Sequence, residues 1–72
     1  MLAKNIRRIR LRKGLSQEKL ARLAEIALNT LAKIESGRSK EPTIGTITRV
    51  ARALGVSLDE LVKGKKSDPI LN

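Results

Sequence analysis

Seventy-two residues are enough for one small domain and exclude a multidomain protein. The chain has no Cys and no His, which excludes disulfides, thiolate or imidazole metal sites, and a nucleophile activated by His. Sixteen Lys and Arg against seven Asp and Glu give a net charge of +9, so we expect a polyanionic partner.

The first predicted helix covers residues 2–13 and has a narrow apolar stripe. Leu2, Ile6 and Ile9 recur at helical spacing on one face, and the remaining positions are mostly basic. Gly14 follows, a residue suited to the left-handed conformation just beyond a helix end. The pattern therefore predicts an amphipathic helix that ends at this glycine.

The next stretch raises the question of whether it forms one helix or two. Ser16 is a favourable N-cap, with Glu18 in the first turn, where the helix dipole favours an acid. Residues 20–35 keep a helical period without any Gly, Pro or Ser, and in one straight helix Ile26 would point about 120° away from the stripe, into solvent. A bend at Glu25 and Ile26 turns that side chain inward, so we predict two helices. The stripe consists of Leu20, Ala24, Ala27, Leu31 and Ile34.

A fourth helix follows the glycine stop at Gly37. Thr43 is its expected N-cap, and Gly55 is its expected end. One side of this helix is apolar at helical spacing, which predicts that it packs against the other helices. The predicted apolar face consists of Ile44, Ile47, Val50, Ala51 and Leu54.

The fifth predicted helix begins with a capping box, Ser57 with Glu60 three residues later, and ends at Gly64. No strand pattern or internal repeat is present. Helices this short need a shared core, so we expect a compact all-α domain over residues 1–64. Residues 65–72 form a predicted tail that is either disordered or docks at a dimer interface.

The composition also favours one class of polyanion. Residues 1–24 carry eight bases and one acid, although on charge alone a solvated helix face is an equal alternative to nucleic acid. Proteins that bind single strands or RNA loops usually stack bases on aromatic side chains, and this chain has no Phe, Tyr or Trp. Double-stranded DNA is therefore the favoured partner. Because no apolar stretch suits a signal peptide or a membrane span, we expect a cytoplasmic protein.

Several motifs together resemble one family. From about residue 2 to residue 63, the chain is similar to the helix-turn-helix family of the phage repressor, Cro and xenobiotic-response-element (XRE) type. That resemblance implies a five-helix, lambda-repressor-like fold, usually dimeric, whose second and third helices read DNA. The family usually has Gly where Glu25 stands and Ser or Thr where Ala27 stands. The matching motifs are IRRIRLRKGLSQEKLA from Ile6, IESG, Pro42-Thr43 and RALGVSLDEL from Arg52.

The resemblance also implies which residues contact DNA. Recognition helices present their N-terminal residues to base edges in the major groove. Asn pairs well with adenine, Lys donates to guanine, and an apolar side chain packs on a thymine methyl. The alternative for the apolar candidate is core packing, and for the polar ones a solvated face. The base-contact candidates are Leu28, Asn29, Thr30 and Lys33, since Ala27, Leu31 and Ile34 are expected in the core. The phosphate-contact candidates are Gln17, Arg38, Ser39, Lys40 and Thr43.

Arg10 and Glu35 occupy positions that pair in some family members, so we expect a structural ion pair that ties the first helix to the third. The other bases of the first helix are interpreted as steering the protein toward DNA over a distance. They are Lys4, Arg7, Arg8, Arg12 and Lys13.

The leading hypothesis is a sequence-specific transcriptional regulator, a repressor that binds a pseudo-palindromic operator as a homodimer without a cofactor. One alternative is a DNA-binding antitoxin or interaction module whose protein partner binds the apolar end of the tail, DPILN. Membrane-surface binding by the first helix is a weaker alternative, because its stripe is narrow and lacks aromatics. An enzyme is the least supported, since no nucleophile and base occur together.

Overall fold

Five α-helices joined by short loops form the part of the chain that the computed structural model describes, residues 2–39 and 42–64. No strand occurs within these ranges, and the prediction of an all-α fold is confirmed. The tail at residues 65–72 and the candidate Lys40 lie outside the described residues. The helices are α1 (Leu2–Arg12), α2 (Gln17–Ala24), α3 (Leu28–Ser36), α4 (Ile44–Leu54) and α5 (Leu58–Lys63).

Three helices begin at the hydroxyl caps that the sequence predicts. The side chains of Ser16, Thr43 and Ser57 each accept a hydrogen bond from the backbone N–H three residues later, at 3.0, 3.1 and 3.0 Å. Each bond satisfies one of the backbone donors that a helix start leaves without an internal partner. The starts of α2, α4 and α5 are therefore set by local chemistry.

The first four helices end in the same way. A residue in the left-handed region follows each helix, and the N–H of the residue after it donates to the carbonyl five positions earlier, at 3.0 Å in every case. This is the Schellman arrangement, which usually has glycine at the left-handed position. The left-handed residues are Gly14, Glu25, Gly37 and Gly55.

The helices enclose one apolar core. α2 packs against α3 and α4, α1 packs against α3 and α5, and α4 also touches α5. Because each helix buries only one stripe, the opposite faces stay in solvent and carry the charge. The largest fully buried side chains are Ile6, Ile9, Leu20, Leu31, Ile34, Val50 and Leu61.

The predicted bend is confirmed, whereas two predicted core positions are wrong. α2 ends at Ala24 and α3 begins at Leu28, so the stretch is two helices, and Ile26 packs partly buried against the core. Ala27 is exposed instead, because as the N-cap of α3 it has extended backbone angles and lies off the helical stripe. Ile44 is 71% exposed. The helical spacing of the apolar residues places it on the same side of α4 as Ile47, but this spacing does not show where the helices that cover that side end. None of the described helices is long and apolar enough to cross a membrane.

Candidate nucleic-acid interface

The connection between α2 and α3 is a three-residue turn with the backbone geometry of a glycine turn. Glu25 has φ 58° and ψ 43°, and it is the one non-glycine residue with positive φ in the described ranges. Its N–H donates to the Arg22 carbonyl at 3.2 Å, and the Ile26 N–H donates to the Ala21 carbonyl at 3.0 Å. The side chain of Ile26 packs on the core directly after the left-handed residue. A hydrophobic contact at this position commonly accompanies the Schellman arrangement.

α3 presents one face to the core and the other to solvent. Leu31 and Ile34 are 0% and 1% exposed, which fixes the helix against its neighbours. The four predicted base-contact residues lie on the other side: Leu28 is 46% exposed, and Asn29, Thr30 and Lys33 are exposed as well. The core-packing alternative for Leu28 is therefore not what the structure has. The first turn of α3 instead presents an apolar surface beside an amide and a hydroxyl, and Lys33 adds an exposed ammonium group in the last turn of the same helix.

A buried hydrogen-bond network holds the start of α2 against α3. The Glu35 carboxylate accepts from Arg10 Nε at 2.7 Å and Arg10 Nη2 at 3.0 Å, and it also accepts from Gln17 Nε2 at 3.1 Å. Arg10 Nη1 donates to the Leu15 carbonyl at 2.7 Å. The network therefore joins α1, the loop after it, the first residue of α2 and the last turn of α3.

The predicted phosphate-contact residues are placed differently from one another. Arg38 is exposed and Ser39 is half-buried, directly after α3. The Thr43 hydroxyl is already engaged, since it accepts from the Thr46 N–H at 3.1 Å and donates to the Thr46 hydroxyl at 2.9 Å. Gln17 uses one amide N–H on Glu35, and a Gln amide carries two. The side chains of Arg38 and Gln17 thus retain donors, whereas the Thr43 hydroxyl serves α4.

Two structurally important residues were missed by the sequence reasoning. Asn5 is buried, and its Nδ2 donates to the Leu61 and Val62 carbonyls at 2.9 and 3.3 Å, at the end of α5. Its spacing from Leu2 and Ile9 puts it on the apolar stripe of α1, which is a usable signal of burial. Arg49 Nη1 donates to the Glu25 carbonyl at 3.2 Å. No sequence pattern points to that contact.

The described residues offer little for metal binding. No group of three or more His, Cys, Asp or Glu that could hold a metal ion occurs in residues 2–39 and 42–64. Every buried side-chain nitrogen or oxygen described has a hydrogen-bond partner. Exposed polar groups lie at both ends of α3, in its first turn and in the loop after it.

Comparison with known proteins places this geometry in a family context. A protein-family model described as helix-turn-helix matches residues 6–61. The SPbeta prophage-derived uncharacterized HTH-type transcriptional regulator YonR of Bacillus subtilis (strain 168) is 36% identical over 76 aligned positions, covering 100% of this chain and 69% of that protein. The uncharacterized HTH-type transcriptional regulator y4dJ of Sinorhizobium fredii (strain NBRC 101917 / NGR234) is 36% identical over 69 positions, covering 96% of this chain and 88% of that protein.

Proposed function

This chain belongs to the helix-turn-helix family of the XRE type, and from that premise we propose that it is a repressor that reads a pseudo-palindromic operator as a homodimer. Helix-turn-helix regulators bind DNA, and the relatives YonR and y4dJ are named as HTH-type transcriptional regulators. The proposal concerns what that general role leaves open: which helix reads the bases, how the protein assembles, and what binding does to transcription.

One observation carries the proposal: the first turn of α3 is exposed while the opposite side of the same helix is held in the core. A recognition helix must enter the major groove without shifting against its own domain. Leu31 and Ile34 provide that anchor, since they are 0% and 1% exposed. The exposed side offers an amide, a hydroxyl, an ammonium group and an apolar side chain, which suit base edges.

Each of the four candidate base-contact residues of α3 has a chemically distinct role. The amide of Asn29 can donate to and accept from adenine N6 and N7, and the Lys33 ammonium can donate to guanine O6 and N7. Leu28 packs on a thymine methyl, and the Thr30 hydroxyl supplies a further donor or acceptor. These contacts specify the sequence because each base pair shows a different pattern in the major groove.

Phosphate contacts supply affinity and register. Arg38, Ser39 and Lys40 follow the recognition helix, and Gln17 begins α2, where free backbone N–H groups also favour an anion. Thr43 lies at the start of α4, where its hydroxyl is engaged by Thr46 but the free backbone N–H groups of the helix start favour an anion. The net charge of +7 over residues 1–24 (eight bases, one acid) steers the protein toward DNA before contact.

Dimeric binding follows from the symmetry of helix-turn-helix operators. Two recognition helices related by a two-fold axis enter successive major grooves on one face of DNA, so half-sites lie about one helical turn apart. Occupying such a site blocks polymerase and represses the adjacent gene. This role needs neither catalysis nor a cofactor.

The test is selection of preferred sites from a random pool of duplex DNA with the full chain. The proposal expects an enriched inverted repeat whose half-site centres are about 10–10.5 base pairs apart. As controls, Asn29→Ala should change the enriched sequence, whereas Lys63→Ala, which removes an exposed cation from α5, should not. Enrichment of a single asymmetric site would contradict the dimer, and no enrichment at all would contradict sequence-specific binding.

A further inference from the structure

We propose that Arg49 is a positioning residue for DNA reading, because it ties the turn between α2 and α3 to α4 through the Glu25 carbonyl. Arg49 itself contacts no base in this proposal. It acts on the backbone that leads into the recognition helix. The inference rests on the proposed role of α3.

The turn lacks the two residues that would stabilise it locally. At the other three Schellman ends the left-handed position is glycine, which adopts it without steric cost, whereas here it is Glu25. The N-cap of α3 is Ala27, and it makes no side-chain hydrogen bond to the helix start. For this turn to be as stable as the three helix ends that have glycine, an interaction from outside the turn is therefore needed.

Arg49 supplies such an interaction from a different helix. Its Nη1 donates to the Glu25 carbonyl at 3.2 Å, across 24 positions of sequence. The Schellman bonds of this turn use the carbonyls of Ala21 and Arg22, so the Glu25 carbonyl is left for an outside donor. That carbonyl belongs to the peptide bond between Glu25 and Ile26. The orientation of this peptide bond sets the path of the chain into α3.

The base of the Arg49 side chain is well anchored. The next two residues of α4, Val50 and Ala51, are 0% and 4% exposed, and α4 packs against α2. The guanidinium therefore reaches the turn from a fixed helix. α2 and α4 both belong to the packed core. The hydrogen bond therefore fixes the position of the turn relative to that core, and not relative to another loop.

A neighbouring arginine provides a matched control. Arg49 and Arg52 lie one helical turn apart on α4 and line the same surface groove, about 310 Å³ in volume, beside Leu23 and Glu25. Only Arg49 donates a hydrogen bond to the turn among the described contacts. Replacing either one removes one positive charge from the same groove, but only one replacement removes the bond.

The experiment compares Arg49→Met, Arg52→Met and Arg49→Lys in the full chain. The first arm measures amide hydrogen exchange at Glu25 and Ile26, without DNA. Arg49→Met should speed exchange there by roughly 2- to 10-fold, the change that the net free energy of one hydrogen bond supports. Arg52→Met should leave these rates unchanged, and Arg49→Lys should recover part of the protection because an ammonium can donate to the same carbonyl.

The second arm measures affinity for the selected site and for random duplex DNA at several salt concentrations. Arg49→Met should lower the ratio of the two affinities by roughly 2- to 10-fold relative to Arg52→Met, with the same salt slope in both variants. Equal ratios in the two variants would overturn the proposal, as would a shallower salt slope for Arg49→Met alone, which indicates a lost phosphate contact.

The two arms separate the failure of this inference from the failure of the proposed function. If wild-type protein does not prefer any DNA sequence, sequence-specific binding by α3 is wrong. The exchange arm still decides whether Arg49 holds the turn. If wild type does prefer a site but exchange at Ile26 is the same in Arg49→Met and Arg52→Met, the positioning role is wrong and the proposed function stands.

Discussion

Arg10 and Glu35 form a two-point ion pair between α1 and α3, with Nε–Oε2 at 2.7 Å and Nη2–Oε1 at 3.0 Å. Their side chains are 9% and 3% exposed, so water does little to compensate either charge. Arg10 also donates a hydrogen bond to the Leu15 carbonyl, and Glu35 also accepts one from the Gln17 amide. It therefore fixes the start of α2 and the last turn of α3 with respect to one α1 residue.

Loss of one member of this pair should destabilise the domain strongly. Arg10→Met leaves the Glu35 carboxylate buried without its cation, and breaking a buried pair from one side costs about 3–5 kcal/mol. The free energy of unfolding in urea measures the effect. Arg7→Met removes an exposed arginine from the same helix and should change stability by less than about 0.5 kcal/mol.

The double variant Arg10→Met/Glu35→Leu should be more stable than Arg10→Met alone, because no unpaired charge is then left in the interior. Equal stability of Arg10→Met and wild type would show that the pair has no structural role.

The end of α5 should tolerate an added methyl group worse than the end of α3. Gly64 and Gly37 both have left-handed backbones, with φ 77° and 83°, so alanine at either position costs roughly 1 kcal/mol. A Cβ at Gly64 would also lie 2.8 Å from Asn5 Oδ1, whereas one at Gly37 meets nothing within 4 Å. We expect Gly64→Ala to lower the free energy of unfolding by about 1–3 kcal/mol more than Gly37→Ala, since it disturbs the Asn5 bonds.

Repeating Gly64→Ala in an Asn5→Ala background separates the steric contact from the backbone strain. There the two glycine replacements should cost nearly the same. A persistent difference would mean that Asn5 is not what makes Gly64 sensitive.

Glycine in place of Glu25 should stabilise the domain. Glu25→Gly removes the cost of a left-handed backbone in a residue with a side chain, and part of that gain is offset by the greater freedom of glycine in the unfolded chain. The expected net gain in the free energy of unfolding is about 0.5–1 kcal/mol. Glu25→Ala keeps the backbone strain and removes only the carboxylate, so it should stay close to wild type. Equal gains in both variants would attribute the effect to charge.

The boundaries of the helices could be predicted because they are set locally. Ser16, Thr43 and Ser57 cap through bonds to residues three positions away, and glycines end three of the first four helices. The bend at Glu25 could be predicted as well, although the turn lacks a glycine, because in one straight helix the apolar side chain of Ile26 would point into solvent. Such features depend on a few neighbouring residues, which a single sequence shows.

Several features that depend on distant packing could not be predicted, unlike the Arg10–Glu35 pair, which the family resemblance implied. Ile44 continues the apolar stripe of α4 but is 71% exposed, since the stripe does not show where the covering helices end. The bonds of Arg49 to Glu25 and of Asn5 to Leu61 span 24 and 56 positions. They arise only when the core brings α2 to α4 and α1 to α5.

In the proposed function α3 reads bases while the loop after it binds phosphate, and two variants on either side of Ser36 separate these roles. Asn29→Ala removes a base-reading amide, so binding should weaken by about 1–3 kcal/mol at one base position of the selected site. Arg38→Ala removes a phosphate contact, so it should weaken binding to all sequences about equally and reduce the salt slope by about 1.

The most direct measurement is the affinity of wild type, Asn29→Ala and Arg38→Ala for the selected site and for every single-base variant of it. We expect Asn29→Ala to lose discrimination at one position in each half-site and to keep it elsewhere. If Asn29→Ala weakens binding to selected and random DNA alike, as Arg38→Ala should, α3 does not read bases through Asn29 and the proposed function is contradicted.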